Sequence, residues 1–211
     1  MTCENRGSTD EERDAFAEDI WEFRYKRSTY WRWLRCVIGG DAVEGAGDER
    51  SVRIEYRPLP TQPTVRDVVG LQALTIGLVR GLVARDHPLA SLPWADAERS
   101  FYDAARNGLD ADLAWLTADG ERTDDSAVVF DEVFDVARAG LAESGFSERQ
   151  ADRYLDPIEA RWNARTTPSA WKIEQVRAAL DEGHTFEAAV GAMQRRYVER
   201  SRETESFAEW L

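Results

Sequence analysis

The sequence of 211 residues is poor in the side chains of metal and redox chemistry. It contains two cysteines, Cys3 and Cys36, and two histidines, His87 and His184. Two cysteines do not build the disulfide framework of a secreted domain, and no Cys/His spacing typical of zinc is present. The two histidines favour a loop and a helix end, because Pro88 follows one and Gly183 precedes the other. We therefore expect neither disulfide bonds nor a soft-metal centre.

Lysine and long apolar runs are also scarce. Lys26 and Lys172 are the only lysines, and 27 basic against 40 acidic residues give a formal net charge of -13. Such an excess of carboxylate repels nucleic acid and anionic membranes. No uninterrupted apolar run has the ~18 residues of a membrane-spanning helix, and the acidic N-terminus is unlike a signal peptide. We expect a cytoplasmic, halophilic protein that binds neither nucleic acid nor membrane.

The first part of the chain favours a lead-in followed by two strands. Residues 1–12 have no apolar periodicity and are expected to be disordered, whereas residues 13–211 are expected to form a single domain. Aromatic and β-branched residues predict strands over 30–37 and 51–56. The Gly- and acid-rich segment between them predicts a loop or a hairpin excursion.

From residue 64 onward the apolar periodicity is helical. Thr64 and Asp67 form a capping box for a long apolar helix up to Arg85, which we expect to be the buried spine of the domain. Further helices are predicted from Pro93 to Gly108, up to Gly145, from Ser147 with Gln150 onward, from Thr167 and Pro168 to Gly183, and from Thr185 to about Glu203. The sequence predicts an α+β fold, with a small antiparallel sheet near the N-terminus packed against a predominantly helical C-terminal region.

The basic and aromatic stretch YKRSTYWRWLR, residues 25–35, suggests a functional surface. Such interleaving also describes a nucleic-acid strip, but strand alternation divides these charges between two faces of an otherwise acidic protein. A compact anion site is the better functional interpretation. In the second strand Arg53, Glu55 and Arg57 share one face. The alternative for that face is a solvent-facing edge strand with surface ion pairs.

The segments YWRWLR and IEYRPLPTQPT resemble the strand pair of the glutamate-cysteine ligase type 2 family, the carboxylate-amine ligases. Glu55 and Arg57 supply the family's Glu-x-Arg pattern, and Pro63 with Thr64 begins its long apolar helix. The later DAARNGLDADL is similar to the family's Arg-x-Gly-Leu-Asp segment through Arg106. The resemblance covers roughly residues 20–205 and only the C-terminal part of the family domain.

This resemblance implies an ATP- and Mg²⁺-dependent ligase. Family members phosphorylate the side-chain carboxylate of glutamate, and the amine of cysteine or of another substrate attacks the acyl phosphate. The resemblance makes Glu55 a ligand of the Mg²⁺ that bridges ATP phosphates, and Arg57 a catalytic cation that also binds ATP. Arg35 is a further catalytic candidate and Arg106 a further ATP-binding candidate. Mg²⁺ takes hard oxygen ligands, and phosphoryl transfer depends on positioned charges.

The family's N-terminal half, which carries a Glu-x-Glu strand with further metal ligands, has no counterpart before Tyr30. The resemblance therefore implies a second copy or a partner chain that supplies this half. The alternative to a ligase is a catalytically silent, truncated family member that acts as a binding or assembly module.

Overall fold

A computed structural model of the chain describes residues 34–42, 50–57 and 59–211, with side chains from residue 55 onward. The predicted lead-in 1–12 and the first four residues of the first predicted strand lie outside the described residues. The chain divides into two compact units, Met1–Leu59 and Pro60–Leu211. The single domain expected over residues 13–211 stays a prediction.

The described part of the first unit is an antiparallel hairpin. Strand β1 spans Leu34–Ala42 and strand β2 spans Arg50–Tyr56. Three pairs of the register join apolar residues, namely Leu34 with Tyr56, Cys36 with Ile54, and Ile38 with Val52. The register then shifts between Ile38 and Ala42, where two glycines interrupt the β-branched run. The predicted small antiparallel sheet is confirmed, and β1 continues to Ala42, into the segment expected to be a loop or a hairpin excursion.

The second unit is mostly helical, so the predicted α+β class is confirmed. Its helices are α1 Val65–Ala84, α2 Trp94–Asn107, α3 Ser126–Glu143, α4 Glu148–Asn163, α5 Pro168–Asp181 and α6 Phe186–Glu203. Two strands of two residues each, β3 Trp115–Leu116 and β4 Arg122–Thr123, pair antiparallel between α2 and α3. Short 3₁₀ helices lie at Pro88–Ser91, Gly108–Asp110 and Phe207–Trp210.

Helix boundaries lie where the polar caps and glycines of the sequence predict them. Side-chain oxygens accept backbone N–H groups at the predicted N-caps, which are Thr64, Ser147, Thr167 and Thr185. The predicted stops have positive φ angles of 60° at Gly108, 87° at Gly145 and 88° at Gly183. A side chain would be strained in that conformation, so glycine suits all three positions.

Helices α1, α3 and α4 pack together as a bundle with a very close α1–α3 contact. A Cβ atom at Gly140 of α3 would overlap the carbonyl oxygen of Gly77 and the amide nitrogen of Gly81 on α1. The two backbones therefore touch, which only glycine permits at these positions. Around this contact lies an apolar core that contains Ala73, Ala137, Leu141, Ala151 and Leu155.

The opposite side of α1 is not buried as the sequence predicted for a spine. Val65 and Val83 are 80% and 76% exposed, and Ile76 is 55% exposed. The helix packs through its small residues because the α3 backbone leaves no room for larger ones. By length and composition α1 is apolar enough to cross a membrane, which is weak evidence because core helices can have the same composition.

Helices α5 and α6 form a hairpin that contacts the bundle through the C-terminal 3₁₀ helix. Trp171 of α5 and Tyr197 of α6 pack with Phe207 and Trp210 in an aromatic cluster. Phe207 is fully buried, and its ring centroid lies 5.1 Å from that of Trp210. The C-terminal turn thus joins the two groups of helices.

Candidate functional site

Glu55 and Arg57 form the centre of the site predicted from the sequence. Glu55 is in β2, and Arg57 directly follows the last residue of that strand. Two residues apart on an extended chain, they share a face, as strand alternation predicts. The Arg57 Nε atom donates a hydrogen bond of 2.8 Å to Glu55 Oε1, and an Nη atom donates to the same oxygen. A carboxylate and a guanidinium are therefore held side by side at the end of the strand.

This ion pair is placed where solvent and ligands reach it. The side chains of Arg57 and Glu55 are 25% and 29% exposed. A pair in such a position contributes about 0–1 kcal/mol to folding stability, because water screens the charges and ordering them costs entropy. Its main effect is therefore to fix the relative position of a hard oxygen ligand and a cation.

The other two predicted site residues lie in different parts of the chain. Arg35 of β1 stands opposite Glu55 in the antiparallel ladder. Arg106 belongs to the second unit, where it is exposed in the last turn of α2 and lines a shallow groove of about 300 Å³. The structure brings Glu55 and Arg57 together and sets Arg35 across the ladder from them. The catalytic, ATP-binding and metal-binding roles of all four residues stay predictions.

The fit of these residues to Mg²⁺ follows from the donors they provide. Within residues 34–42, 50–57 and 59–211, no group of three or more His, Cys, Asp or Glu residues converges on one point. Mg²⁺ is commonly held by one or two carboxylates together with substrate phosphates and water. Glu55 supplies one such carboxylate, and its role as a magnesium ligand stays a prediction.

Comparison with known proteins adds no family assignment. No family model, curated protein or solved structure matches this chain. The ligase interpretation therefore depends on the ordered sequence segments and on the Glu55–Arg57 geometry.

A second polar cluster forms around His87, which the sequence placed in a loop. Its side chain is fully buried, and its Nδ1 atom accepts the backbone N–H of Leu89 at 3.2 Å. A neutral ring therefore carries its proton on Nε2, which lies 3.5 Å from Glu132 Oε1. Glu132 also accepts the indole N–H of Trp115 and the backbone N–H of Ala118. These contacts attach the β3–β4 hairpin to α3, a structural role that no local sequence signal predicts.

The hydrogen bonds to Glu132 lower its pKa by more than its partial burial raises it. Desolvation raises the pKa of this carboxyl, but the hydrogen bonds from Trp115 and Ala118 and the nearby His87 ring stabilise the charged form, and the net pKa is lowered. The folded state thus binds a proton less readily than the unfolded state. Glu132 stabilises the fold above its ordinary pKa of 4.5, and this stabilisation is lost as the pH falls through the lowered value.

We expect Glu132→Gln to reduce the unfolding free energy by about 1.5–3 kcal/mol at neutral pH, because hydrogen bonds to a charged acceptor are weakened. The difference in unfolding free energy between the variant and the native chain should become smaller at acid pH, where the native carboxyl is protonated and uncharged. Urea unfolding across this pH range measures both effects. The neighbouring Asp131→Asn, at an exposed position of the same helix, is the matched control. If the unfolding free energy of Glu132→Gln fell with acid pH as much as that of the native chain, Glu132 would not be the group that stabilises the fold in its charged form.

A buried ion pair joins α1, α4 and the C-terminal turn. Asp67 is completely buried, and its Oδ1 atom lies 2.5 Å from Arg161 Nη2. The backbone N–H of Phe207 donates to both carboxylate oxygens at 3.1 Å, and the Thr64 hydroxyl lies 2.8 Å from Oδ2. Arg161 also donates to Gln62 at 2.7 Å. Asp67 thus caps α1 as the sequence predicts, and it also holds α4 and the C-terminal turn against that helix.

The hydroxyl of Tyr197 lies close enough to this pair to be affected by its charges. Burial raises the pKa of Tyr197, the negative charge of Asp67 raises it further, and Arg161 opposes both. The phenol therefore stays protonated well into the alkaline range. The polar groups at this joint are arranged to support the fold and are shielded from solvent, so we assign them no catalytic role.

Proposed function

We propose that the chain acts as the C-terminal part of an ATP-dependent carboxylate-amine ligase of the glutamate-cysteine ligase type. The observation that carries the proposal is the Glu55–Arg57 pair, a carboxylate and a guanidinium 2.8 Å apart at the end of one strand. The ordered segments around Arg35, Glu55 and Arg106 add support from the sequence. We also propose a cytoplasmic location, on the basis of the acidic composition.

The proposed chemistry has two steps. In the first, an oxygen of the glutamate side-chain carboxylate bonds to the γ-phosphorus of ATP while the bond to ADP breaks. In the second, the amine of cysteine or of another substrate attacks the acyl carbon, phosphate leaves, and the amine loses a proton to solvent. Both steps move negative charge onto phosphate oxygens, which a fixed cation stabilises.

Each predicted residue has a separate role in this scheme. Arg57 places its positive charge against the oxygens of the transferred phosphoryl group. Glu55 would hold Mg²⁺ together with the nucleotide phosphates, and the ion would supply positive charge against them. Arg35, opposite Glu55 in the ladder, adds a second cation for a carboxylate or phosphate. Arg106, which lies in the second unit, is proposed as an ATP contact on the sequence resemblance alone.

The proposal includes a partner because the described part of the first unit provides one predicted metal carboxylate and two strands, few of the contacts that two substrates need. A second copy or another chain would supply the further metal ligands and the remaining substrate pocket. Open strand edges are the usual means by which a sheet is extended between chains.

We expect Glu55→Gln and Arg57→Gln each to lower the rate of ADP formation by about 10²-fold or more, since each removes a charge that stabilises the transferred group. The measurement is ADP release with glutamate, cysteine and Mg²⁺-ATP at high salt, for the chain alone and with its partner. Tyr56→Phe is the matched control, because residue 56 lies between the two and alternates to the other face.

Equal ADP release by the native chain and Glu55→Gln would rule out the metal role of this carboxylate. A melting temperature unaffected by Mg²⁺-ATP, together with no ADP release in either setting, would favour the other interpretation. The chain would then be a binding or assembly module without ligase activity.

A further inference from the structure

A buried carboxylate at the start of α2 holds two exposed guanidinium groups together. Asp96 is 8% exposed and lies in the first helical turn. Its Oδ1 atom lies 2.9 Å from Arg99 Nη2, and its Oδ2 atom lies 2.7 Å from Arg122 Nη1. The hydrogen bond from Arg122 lowers the pKa of Asp96, so the carboxylate stays charged and keeps both cations in place. Two guanidinium groups from distant positions in the sequence are thereby fixed side by side.

The two guanidinium groups line a cleft of about 490 Å³. This volume is within the range of small-molecule sites, about 300–1,000 Å³. Segment 112–114 forms another wall of the cleft, and side chains of α2 hold it in place. The Ala114 N–H donates to Ser100 Oγ at 2.9 Å, and the Asp112 N–H donates to Asp103 Oδ2 at 2.7 Å. The segment 112–114 is therefore attached along α2, and it faces the cleft together with β4.

Two carboxylates line the same cleft as the two cations. Asp112 and Asp124 are both exposed, and within the part of the chain that the structure describes neither pairs with a cation. Arg99 and Arg122 are 61% and 54% exposed, and each guanidinium has five N–H donors, of which Asp96 occupies few. The cleft thus offers donors and acceptors of opposite charge to one ligand.

This charge pattern selects a class of ligand. A simple anion would be attracted by the guanidinium groups but repelled by Asp112 and Asp124, and a simple cation would meet the reverse. A small zwitterion satisfies both pairs at once, because it carries a carboxylate and an ammonium group a few bonds apart. Its carboxylate can accept charge-assisted hydrogen bonds from guanidinium groups.

We propose that this cleft binds a zwitterionic amino acid, with the α-carboxylate on Arg99 and Arg122 and the ammonium group near Asp112 and Asp124. The site lies in the second unit and is separate from the Glu55–Arg57 pair. It therefore does not depend on the ligase proposal, and binding without turnover is sufficient to establish it.

The test is a titration of the full chain at high salt with glycine and with glutamate, followed by amide shifts in NMR spectra. We expect saturable binding, with shifts in segments 95–100, 112–114 and 122–124. Acetate and ethylamine carry only one of the two charges, and glycine betaine has no ammonium N–H. Each of these three probes should bind more weakly by about tenfold or more.

Two cleft variants and two matched variants complete the experiment. Arg122→Gln and Asp124→Asn should each weaken glycine binding by about tenfold or more, whereas Arg80→Gln on α1 and Asp119→Asn in the β3–β4 turn should leave it unchanged. Asp124→Asn leaves the Asp96–Arg122 ion pair intact. Its effect on glycine binding is therefore independent of any loosening of α2 that Arg122→Gln causes.

Three results would overturn the proposal. The first is the absence of saturable shifts with either amino acid. The second is binding of acetate as tight as that of glycine, which would indicate a simple anion site. The third is binding by Asp124→Asn equal to that of the native chain while its thermal unfolding is also unchanged.

Discussion

Gly140→Ala is expected to lower the free energy of unfolding by at least about 3 kcal/mol, above the usual range for overpacking. The added methyl group would overlap the carbonyl oxygen of Gly77 and the amide nitrogen of Gly81, both of which are backbone atoms. Backbone atoms cannot rotate away as the end of a side chain does, so α1 and α3 must separate. Separation also opens the apolar core that contains Ala73 and Leu141. Urea unfolding followed by far-UV circular dichroism measures the change.

Gly191→Ala is the matched control for this substitution. Gly191 lies inside α6, and the nearest atom to an added Cβ is the Arg195 guanidinium, 3.5 Å away at the end of a flexible side chain. Replacing an unconstrained helical glycine by alanine should stabilise the chain by about 0.5–1 kcal/mol. The two substitutions add the same methyl group and should act in opposite directions. A loss below about 1 kcal/mol for Gly140→Ala would contradict the close α1–α3 contact.

Asp67→Asn is expected to cost about 3–5 kcal/mol, because it leaves the buried Arg161 guanidinium without a countercharge. The amide oxygen can still accept the backbone N–H of Phe207, so most of the loss reports on the ion pair. Arg161 is 7% exposed and cannot recover its hydration without local opening. The C-terminal turn should therefore loosen from α1, which faster hydrogen exchange of the Phe207 amide would register.

A double-mutant cycle separates the ion pair from other effects of these substitutions. Arg161→Met alone leaves Asp67 uncompensated, whereas Asp67→Asn with Arg161→Met removes both charges. The double variant should lose less than the sum of the single losses, with a coupling of about 2 kcal/mol or more. Glu205→Gln, which breaks the exposed pair with Arg66, should change stability by no more than about 1 kcal/mol. Additive single losses would refute a coupled buried pair.

Helix boundaries could be predicted from the sequence because they depend on neighbouring residues. The side chains of Thr64, Ser147 and Thr185 satisfy backbone N–H groups three positions later, so both partners are visible in a short stretch of sequence. The same holds for Glu55 and Arg57, whose shared face follows from strand alternation alone. The two-residue strands β3 and β4 were missed because two residues show no periodicity.

The burial of α1 could not be predicted from hydropathy. Its apolar residues suggested burial on all sides, yet the close contact with α3 is made by Gly77, Gly81 and Gly140. Two backbones approach each other where side chains are smallest, and this leaves large apolar residues such as Val83 on the outside. Sequence hydrophobicity reports a tendency to leave water, but the fit of helix surfaces decides which face does so.

Long-range polar contacts were also beyond the sequence. Asp67 accepts a hydrogen bond from Phe207, 140 residues away. His87 faces Glu132 of α3, although α2 and the β3–β4 hairpin separate them in the sequence. In the sequence Asp67 is accounted for as a capping residue and His87 as a loop residue. Neither pattern therefore indicates that the side chain has a distant hydrogen-bond or ion-pair partner. In the cleft of the second unit, Arg99 and Arg122 converge only because Asp96 is buried between them.

Two aromatic contacts report on different parts of the second unit. Trp171 and Trp210 lie with ring centroids 5.1 Å apart, near edge-to-face, whereas Trp162 stacks on Phe130 within the bundle at 4.0 Å. Indole rings this close couple their electronic transitions, so the first pair contributes to near-ultraviolet circular dichroism only while the turn is docked. Comparing the near-ultraviolet circular dichroism of the native chain, Trp171→Phe and Trp162→Phe would therefore separate loosening of the α5–α6 hairpin from melting of the bundle.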